Sequence, residues 1–220
     1  MKLGMSLASL PNSSHNNFIK SYLEKEDTPM ETLDTIRLRR SVRQYTQESI
    51  SDEDLQTILL AGLSAPSGLN LQPWYFVVIK SAEKRHKLFT IMEAVSDRIA
   101  PELESRFPGH PDVISKTKNF IRTLGDAPVI LLAFLMRDDY ADPKTALISV
   151  SAAVENILLA ARDLGIASCW LTAADQTGYG SVIRDYFAPG KGELVATVTL
   201  GHTDAWPNMV PRRENRFVIL

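Results

Sequence analysis

The feature that most constrains the fold is an uninterrupted apolar run of ten residues, Ala127 to Met136. A membrane-spanning helix needs about 20 apolar residues, so this run has about half the required length and no transmembrane segment is predicted. A continuous apolar run of this length is typical of a β-strand that is covered on both faces. The sequence therefore predicts a buried strand over Ala127–Leu135 that is covered on both faces of its sheet.

The rest of the chain alternates between helical and extended patterns. β-favouring runs predict three further strands, at 74–79, 166–171 and 194–200. Helical patterns occupy four regions: one from Pro29 into Arg39–Ser41, one with a capping box at Ser51–Asp54 and an end at Pro66, a helix–loop–helix at 83–124, and an apolar helix at 146–164 that Gly165 ends. This alternation indicates a layered fold of helices and strands.

A single domain over residues 29–220 accounts for these elements. Residues 1–28 are rich in Ser, Asn and Lys without sustained periodicity, which predicts a loose amino-terminal arm. The last four residues, Phe217 to Leu220, are too apolar for a free tail, and we expect them to pack on a partner subunit.

Composition excludes several classes of function. There are 24 Lys and Arg against 26 Asp and Glu, a net charge of −2, and no basic stripe, which argues against nucleic-acid binding. The single cysteine, Cys169, forms no internal disulfide and no CxxC zinc site, and the four histidines are scattered, so no metal site is expected. Low cysteine content and the lack of a signal-peptide pattern predict a cytoplasmic protein.

Common catalytic and nucleotide-binding motifs are missing from the chain. The eleven glycines do not form GxGxxG or GxxxxGK[ST], and neither GxSxG nor HExxH occurs. Cys169 lies within an apolar strand pattern, where a buried core thiol is expected rather than a nucleophile.

Two arginine clusters lie far apart in the sequence. One is Arg39-Arg40-Ser41-Val42-Arg43 at the predicted exit of a helix, and the other is the pair Arg212-Arg213. Guanidinium groups match phosphate because their planar fork donates paired hydrogen bonds at all relevant pH values. Each cluster taken alone is equally consistent with cations in solvent at a helix end.

The segment Ala65 to Trp74 connects a predicted helix to a predicted strand. Its polar residues Ser67, Asn70 and Gln72 have donors and acceptors that could bind a flat heterocycle. A plain helix-to-strand connection explains the same composition.

In combination, these segments resemble the nitroreductase family of FMN-dependent NAD(P)H oxidoreductases. The matching segments occur in the family's order over about 30 to 215: Arg39–Arg43 with Tyr45, Ala65–Trp74 leading into Phe76–Ile79, Asp126–Pro128, Ala152–Asn156 through Leu164–Ile166 to Trp170, and Gly201-His202 ahead of Arg212-Arg213. The resemblance implies an α+β fold with a mixed central sheet flanked by helices, and a homodimer whose FMN sites are built by both subunits.

The resemblance also implies roles for individual residues. Arg39 and Ser41 would hold the FMN phosphate with Arg212, Arg43 would lie at the pyrimidine edge of the ring, and the loop residues would come from the partner subunit. Trp170 would lie beside the ring, with the backbone of Thr172 and Ala173 near the flavin N5. The full set of expected cofactor-binding residues is Arg39, Arg40, Ser41, Arg43, Pro66, Ser67, Gly68, Asn70, Trp170, Leu171, Thr172, Ala173, Arg212 and Arg213.

By the same resemblance, hydride passes from NAD(P)H through FMN to a nitroaromatic, a quinone or a similar flat electrophile in a ping-pong sequence, with no catalytic side chain required. Two alternatives remain: a flavin-fragmenting or dehalogenating enzyme of the same fold, with residues 95–122 as a lid over the substrate, or a non-catalytic flavin-binding protein.

Overall fold

A computed structural model describes residues 31–220, so the predicted arm at 1–28 lies outside the described residues. The four strands are β1 (Trp74–Ile79), β2 (Val129–Leu135), β3 (Ala167–Leu171) and β4 (Leu194–Gly201). The α-helices in the described part are α1 (Thr32–Leu38), α2 (Asp52–Leu63), α3 (Ala82–Arg98), α4 (Ala100–Arg106), α5 (Pro111–Thr123), α6 (Pro143–Asp163), α7 (Ala173–Gln176) and α8 (Gly180–Phe187). Short 3₁₀ turns lie at Gly68–Asn70 and Leu124–Asp126.

The strands form one sheet in the order β1-β2-β4-β3, and each pair of neighbours is antiparallel. A parallel contact is added at the outer edge of β3, where Ser41 forms a bridge with Ser168. There the Val42 N–H donates to the Ser168 carbonyl at 2.9 Å. The predicted α+β class with a mixed sheet is confirmed, and the segment after α1 accounts for the parallel part.

Strand β2 is the buried strand that the apolar run predicted, since all seven of its residues are buried. Its side chains alternate between the faces, as strand geometry requires. Leu131 and Ala133 pack in the cluster that contains α2 and α6, whereas Leu132 and Phe134 pack in the cluster that contains α3 and α5. Both faces of the sheet are therefore covered by helices.

Helix α6 is the core helix expected at 146–164. Its length and composition would allow it to cross a membrane, but 44% of its most apolar window is buried inside the protein, against α2 and the sheet. It begins earlier than expected, at Pro143, because the Asp142 side chain accepts a hydrogen bond from the Thr145 N–H at 3.1 Å and caps the first turn. Gly165, with a φ of 71°, follows its end as predicted.

Helix α2 begins as its capping box predicts, since the Ser51 side chain accepts from the Asp54 N–H at 3.0 Å. Two other predictions were wrong. Helix α1 ends at Leu38, and Arg39 is already extended with φ −58° and ψ 136°. Residues 83–124 contain three helices instead of two, because Pro101 and Pro111 lie in the first turns of α4 and α5, where the missing proline N–H would have no helical partner in any case.

The carboxyl-terminal segment, residues 202–220, contains neither helix nor strand. Its last four side chains are exposed, with Phe217 at 87%. They pack on nothing within the described protomer, so their expected contact with a partner subunit stays a prediction.

Candidate functional site

The residues Arg39 to Arg43 form an extended segment beside strand β3. Successive side chains in an extended backbone point to opposite sides. Val42 accordingly faces the interior and is buried. Burial raises the pKa of the Cys169 thiol, and the Arg43 charge, the Ser41 hydroxyl and the Arg39 charge oppose that rise. Ser41 and Arg43 thus lie beside Cys169, whereas the Arg39 side chain turns to Glu155 of α6, on the opposite face of the sheet from Arg43.

Tyr45 fixes this segment to the sheet. Its hydroxyl donates to the Val42 carbonyl at 2.7 Å and lies 2.6 Å from Thr199 Oγ1 in β4. Burial raises the pKa of Tyr45 well above its usual value, so the phenol stays neutral. One step further along, the Thr46 N–H donates to the His202 carbonyl at 2.9 Å. The segment is therefore held in place by the folded protomer itself.

The donors in this cluster suit a phosphomonoester. Arg39 uses Nε for an ion pair with Glu155 Oε1 at 3.2 Å, which leaves both of its Nη groups for another acceptor. Ser41 is exposed, and Arg43 spends one Nη on the Ser41 carbonyl at 3.2 Å. A phosphate group with a charge of about −1.5 to −2 needs such a combination of cations and a hydroxyl. The residues present fit the phosphate of FMN.

Arg40 points the other way, as the alternation requires. Its Nη1 donates to the Arg37 and Arg39 carbonyls, each at 2.6 Å, and so caps the end of α1. Arg162 lies near Arg40. Burial lowers the pKa of Arg162, and the positive charge of Arg40 lowers it further. The Arg162 guanidinium in turn lies 4.0 Å from the ring centre of Trp206. A cofactor role for Arg40 stays a prediction.

The predicted residues at the end of β3 form a continuous stretch next to the cluster. Leu171 is buried on the Cys169 side of the sheet, whereas Trp170 packs on the opposite side, against the cluster of α2 and α6. Within residues 31–220, the Trp170 indole N–H has no hydrogen-bond partner. Thr172 is exposed and Ala173 opens α7, so their backbone N–H groups have no partner within that helix.

The loop at Pro66–Asn70 is shaped by an unusual backbone. Leu69, Asn70 and Gln72 all have φ values near 50°, in the left-handed region that non-glycine residues rarely adopt. Such strain is frequent at ligand sites. The Ser67 hydroxyl accepts from the Gln72 N–H at 3.0 Å and stabilises the turn. Pro66 and Asn70 are exposed, and Ser67 and Gly68 are half-buried.

A single protomer does not bring this loop to the arginine cluster. The Gly68 N–H donates to Ser149 in α6 at 3.3 Å, and a Cβ on Gly68 would lie only 2.3 Å from the Thr145 side chain. Arg39 contacts the same helix at Glu155, about 15 Å from Thr145 along the helix axis. Arg43, by contrast, lies over Phe120 of α5, on the other side of the sheet.

Arg212 and Arg213 are not joined to the cluster in the protomer. Both are exposed. Among residues 31–220, neither has a hydrogen bond or an ion pair with another residue. The nearest anchored residue of this segment is Trp206, on Arg162.

Sequence reasoning missed two contributors to this region. Glu155 orients Arg39 through their ion pair. The signal for it in the sequence was an acidic residue within an otherwise apolar helix pattern. Trp206 anchors the carboxyl-terminal segment, and nothing in the sequence pairs it with Arg162, because that contact depends on how the chain crosses the end of α6.

Comparison with known proteins settles the family. Residues 36–202 match the model of the Nitroreductase family, which covers both the arginine segment and all four strands. The chain belongs to the nitroreductase family. The resemblance inferred from the short motifs is thereby confirmed.

Three individual matches show which known proteins this nitroreductase-family chain is similar to. A provisionally named NADH dehydrogenase/NAD(P)H nitroreductase of Archaeoglobus fulgidus is 32% identical over 180 residues, 78% of this chain and 85% of that protein. A crystal structure of a nitroreductase with bound FMN from Desulfitobacterium hafniense has a TM-score of 0.67 and 25% identity, covering 87% of this chain and 99% of the other. Human iodotyrosine deiodinase 1 is 28% identical, covering 72% of this chain and 56% of its own length.

Proposed function

We propose that this protein is an FMN-dependent NAD(P)H oxidoreductase that reduces flat electrophiles such as nitroaromatics and quinones. The observation that carries the proposal is the pair Arg39 and Ser41 in the segment beside β3, where both Nη groups of Arg39 and the exposed Ser41 residue are available to a phosphomonoester. Family membership and the FMN-bound relative support the same cofactor. We also propose a cytoplasmic location, which is consistent with the single cysteine.

When bound, FMN supplies the chemistry by accepting hydride from NAD(P)H and passing electrons to an acceptor that enters after NAD(P)⁺ leaves. The protein's part is to bind and to orient. Arg39 and Ser41 would hold the phosphate, and Arg43 would place a positive charge at the pyrimidine edge, where negative charge develops on reduction. The backbone N–H groups of Thr172 and Ala173, which have no partner within α7, would face the reacting edge of the ring.

We further propose a homodimer in which the loop at 66–70 completes the partner's site. The separation of the loop from Arg43 within one protomer supports this assignment. Exposed apolar side chains on the neighbouring helices α1 and α6 supply a contact surface, with Leu33 at 70% and Ile148 at 57% exposure. Exposed large apolar side chains in such groups are typical of protein interfaces.

The test is reconstitution of the purified protein with FMN. A yellow protein that retains FMN on gel filtration at the mass of a dimer, and oxidises NADH or NADPH faster with a nitroaromatic or quinone than without, supports the proposal. A protein that takes up no FMN, or whose nicotinamide oxidation does not exceed that of free FMN, contradicts it. A monomer with full FMN affinity contradicts the shared site alone.

Reductive dehalogenation is the second candidate, because the chain matches human iodotyrosine deiodinase 1 over 72% of its length. In that reaction two electrons and one proton replace the halogen of an aryl halide by hydrogen, and halide is released. Halide release from iodotyrosine by the reduced enzyme, measured beside nitroaromatic reduction, separates the two activities.

A further inference from the structure

The loop at 66–70 rests on helix α6 through a glycine and a buried serine. The Gly68 N–H donates to the Ser149 hydroxyl at 3.3 Å, and Ser149 is only 4% exposed. The Ser149 hydroxyl donates its own proton to the Thr145 carbonyl, one turn earlier, at 2.7 Å. A hydroxyl has a single proton, so an oxygen lone pair of Ser149 is left to face Gly68. Ser149 is therefore oriented to accept a hydrogen bond from the loop.

Thr145 forms a second contact between the helix and the loop. Its hydroxyl donates to Asp142 Oδ2 at 2.5 Å and its N–H donates to Asp142 Oδ1 at 3.1 Å, so the Asp142 cap fixes the Thr145 rotamer. The Thr145 methyl group then lies against Gly68, where an added Cβ would come within 2.3 Å of it. Because that rotamer is fixed, a side chain at 68 would displace the loop from α6.

The loop conformation that these contacts hold brings no packing to the protomer itself. Leu69 has a φ of 50° and a ψ of 25°, a left-handed conformation that is unfavourable for leucine, yet its side chain is 96% exposed. Asn70, with a φ of 54°, is exposed as well. Strained residues persist where the surrounding structure holds them, and they are concentrated at ligand sites. We infer that the loop is held for a contact outside its own protomer.

Helix α6 supports the arginine segment as well as the loop. Glu155 lies six residues after Ser149, about 9 Å further along the helix axis, and pairs with Arg39 at 3.2 Å. In the proposed dimer, one helix would thus support its own phosphate site through Glu155. The same helix would support the partner's flavin site through Ser149.

We propose that Ser149 is a positioning residue for the flavin bound at the partner's site. Its hydroxyl holds Gly68, and with it the loop at 66–70, in the conformation that receives the flavin ring. The proposal rests on the proposed function, because it takes the loop as part of the partner's site. Ser149 acts through the loop backbone and touches neither flavin nor substrate. A change at 149 should therefore weaken ring binding and leave the phosphate contacts unaltered.

The test is titration of the apoprotein with FMN and with riboflavin, which share the ring. In Ser149→Ala we expect both affinities to fall by the same factor, about three- to tenfold, as for one lost hydrogen bond. Ser151→Ala is the matched control and should match wild type. The Ser151 hydroxyl also donates to the carbonyl one turn earlier, Leu147 at 2.9 Å, but within residues 31–220 it has no hydrogen bond to the loop. Ser149→Thr retains the hydroxyl and should retain most of both affinities.

Hydrogen exchange of the Gly68 amide in the apoprotein gives a readout that needs no flavin, and it should be faster in Ser149→Ala alone. Unchanged exchange, unchanged flavin affinity, a loss of affinity for FMN only, or an equal loss in Ser151→Ala overturns the proposal. A wild-type protein that binds neither flavin overturns the proposed function and this role with it. Wild-type binding together with an unaffected Ser149→Ala variant overturns this role alone.

A mixed dimer decides which subunit the loop serves. Two differently tagged chains, one with Arg39→Ala and the other with Ser149→Ala, are co-expressed, and the heterodimer is isolated. If each loop completes the partner's site, both defects lie in one site, and the other site keeps wild-type FMN affinity. Two weakened sites with one defect each would mean that the loop serves its own protomer, and would overturn the assignment to the partner.

Discussion

The two arginine segments that resemble a phosphate site differ in how they are attached to the rest of the protomer. Arg39–Arg43 is attached to the edge of β3 by the Ser41–Ser168 bridge and to β4 through Tyr45, so its backbone is held in place by the protomer itself. Arg212 and Arg213 lie on a segment without helix or strand, and both are exposed. The second segment is held to the protomer mainly at Trp206, six residues earlier.

This difference teaches that equal charges need not contribute equally to binding. A cation held in place loses little conformational freedom when an anion arrives. A cation on an extended exposed segment has to be ordered at that moment, at a cost of about 1 to 2 kcal/mol for each backbone residue fixed. We therefore expect the amino-terminal arginines to dominate FMN affinity. Four predictions test this difference between the two arginine segments, beginning with the largest expected effect.

Arg39→Ala should weaken FMN binding by about 1.5 to 3 kcal/mol, which is about 10- to 150-fold, because one charge-assisted phosphate contact is lost. Riboflavin lacks the phosphate, so its affinity should not change. Fluorescence titration of the apoprotein with both flavins measures the difference. Arg37→Ala, at an exposed position on α1, is the control. Unchanged FMN affinity in Arg39→Ala would remove Arg39 from the site.

Tyr45→Phe should lower the free energy of unfolding by about 1 to 3 kcal/mol, because the Val42 carbonyl and the Thr199 hydroxyl lose a buried partner. Urea denaturation of the apoprotein measures it. The control is Tyr186→Phe, whose hydroxyl is at the surface beside Lys84. If both variants are equally stable, the arginine segment is not fixed through Tyr45 and the comparison above loses its physical basis.

Arg212→Ala should weaken FMN binding by about 1 kcal/mol, or about fivefold, since part of its contact energy offsets the ordering of its segment. Riboflavin binding should again stay the same. Arg216→Ala, further along the same exposed segment, serves as the control. A loss as large as that of Arg39→Ala would mean that the carboxyl-terminal segment is ordered before FMN arrives, for example by a partner subunit.

Trp206→Ala should have the smallest effect, a two- to fivefold loss of FMN affinity, corresponding to a cation–π contact of about 0.5 to 1 kcal/mol. Its contact with Arg162 positions the segment that carries Arg212. Trp206→Phe retains an aromatic face and should restore most of the affinity. In the Arg212→Ala background, Trp206→Ala should have no further effect. An additive loss in the double variant would show that Trp206 acts independently of Arg212.

Strand positions and the family could be predicted because they depend on local patterns. The run that became β2 was apolar at every position, and the capping box at Ser51 lies at the start of α2. Helix boundaries near Arg39 were predicted less well, because basic residues are compatible both with a last helical turn and with an extended segment. Only the bridge to Ser168 and the buried Val42 select the extended form.

The two lysines of α5 are a further case in which the sequence offers no guide. Lys116 and Lys118 are equivalent by composition, and the region at 83–124 was predicted only as a helix, a loop and a second helix. The ion pair of Lys118 with Asp97 distinguishes the two, and it depends on how α5 packs on α3.

From the sequence alone, the apolar runs determined a sheet covered on both faces, and the order of short polar motifs determined the family. Runs of apolar residues and the order of motifs are visible in the sequence itself, without knowledge of which residues are in contact in the folded protein. The tertiary structure decided which groups surround each arginine, where the strained loop lies relative to them, and which lysine of α5 forms an ion pair. Those properties depend on contacts between residues distant in sequence, and a charge takes its effect from the groups that surround it in space.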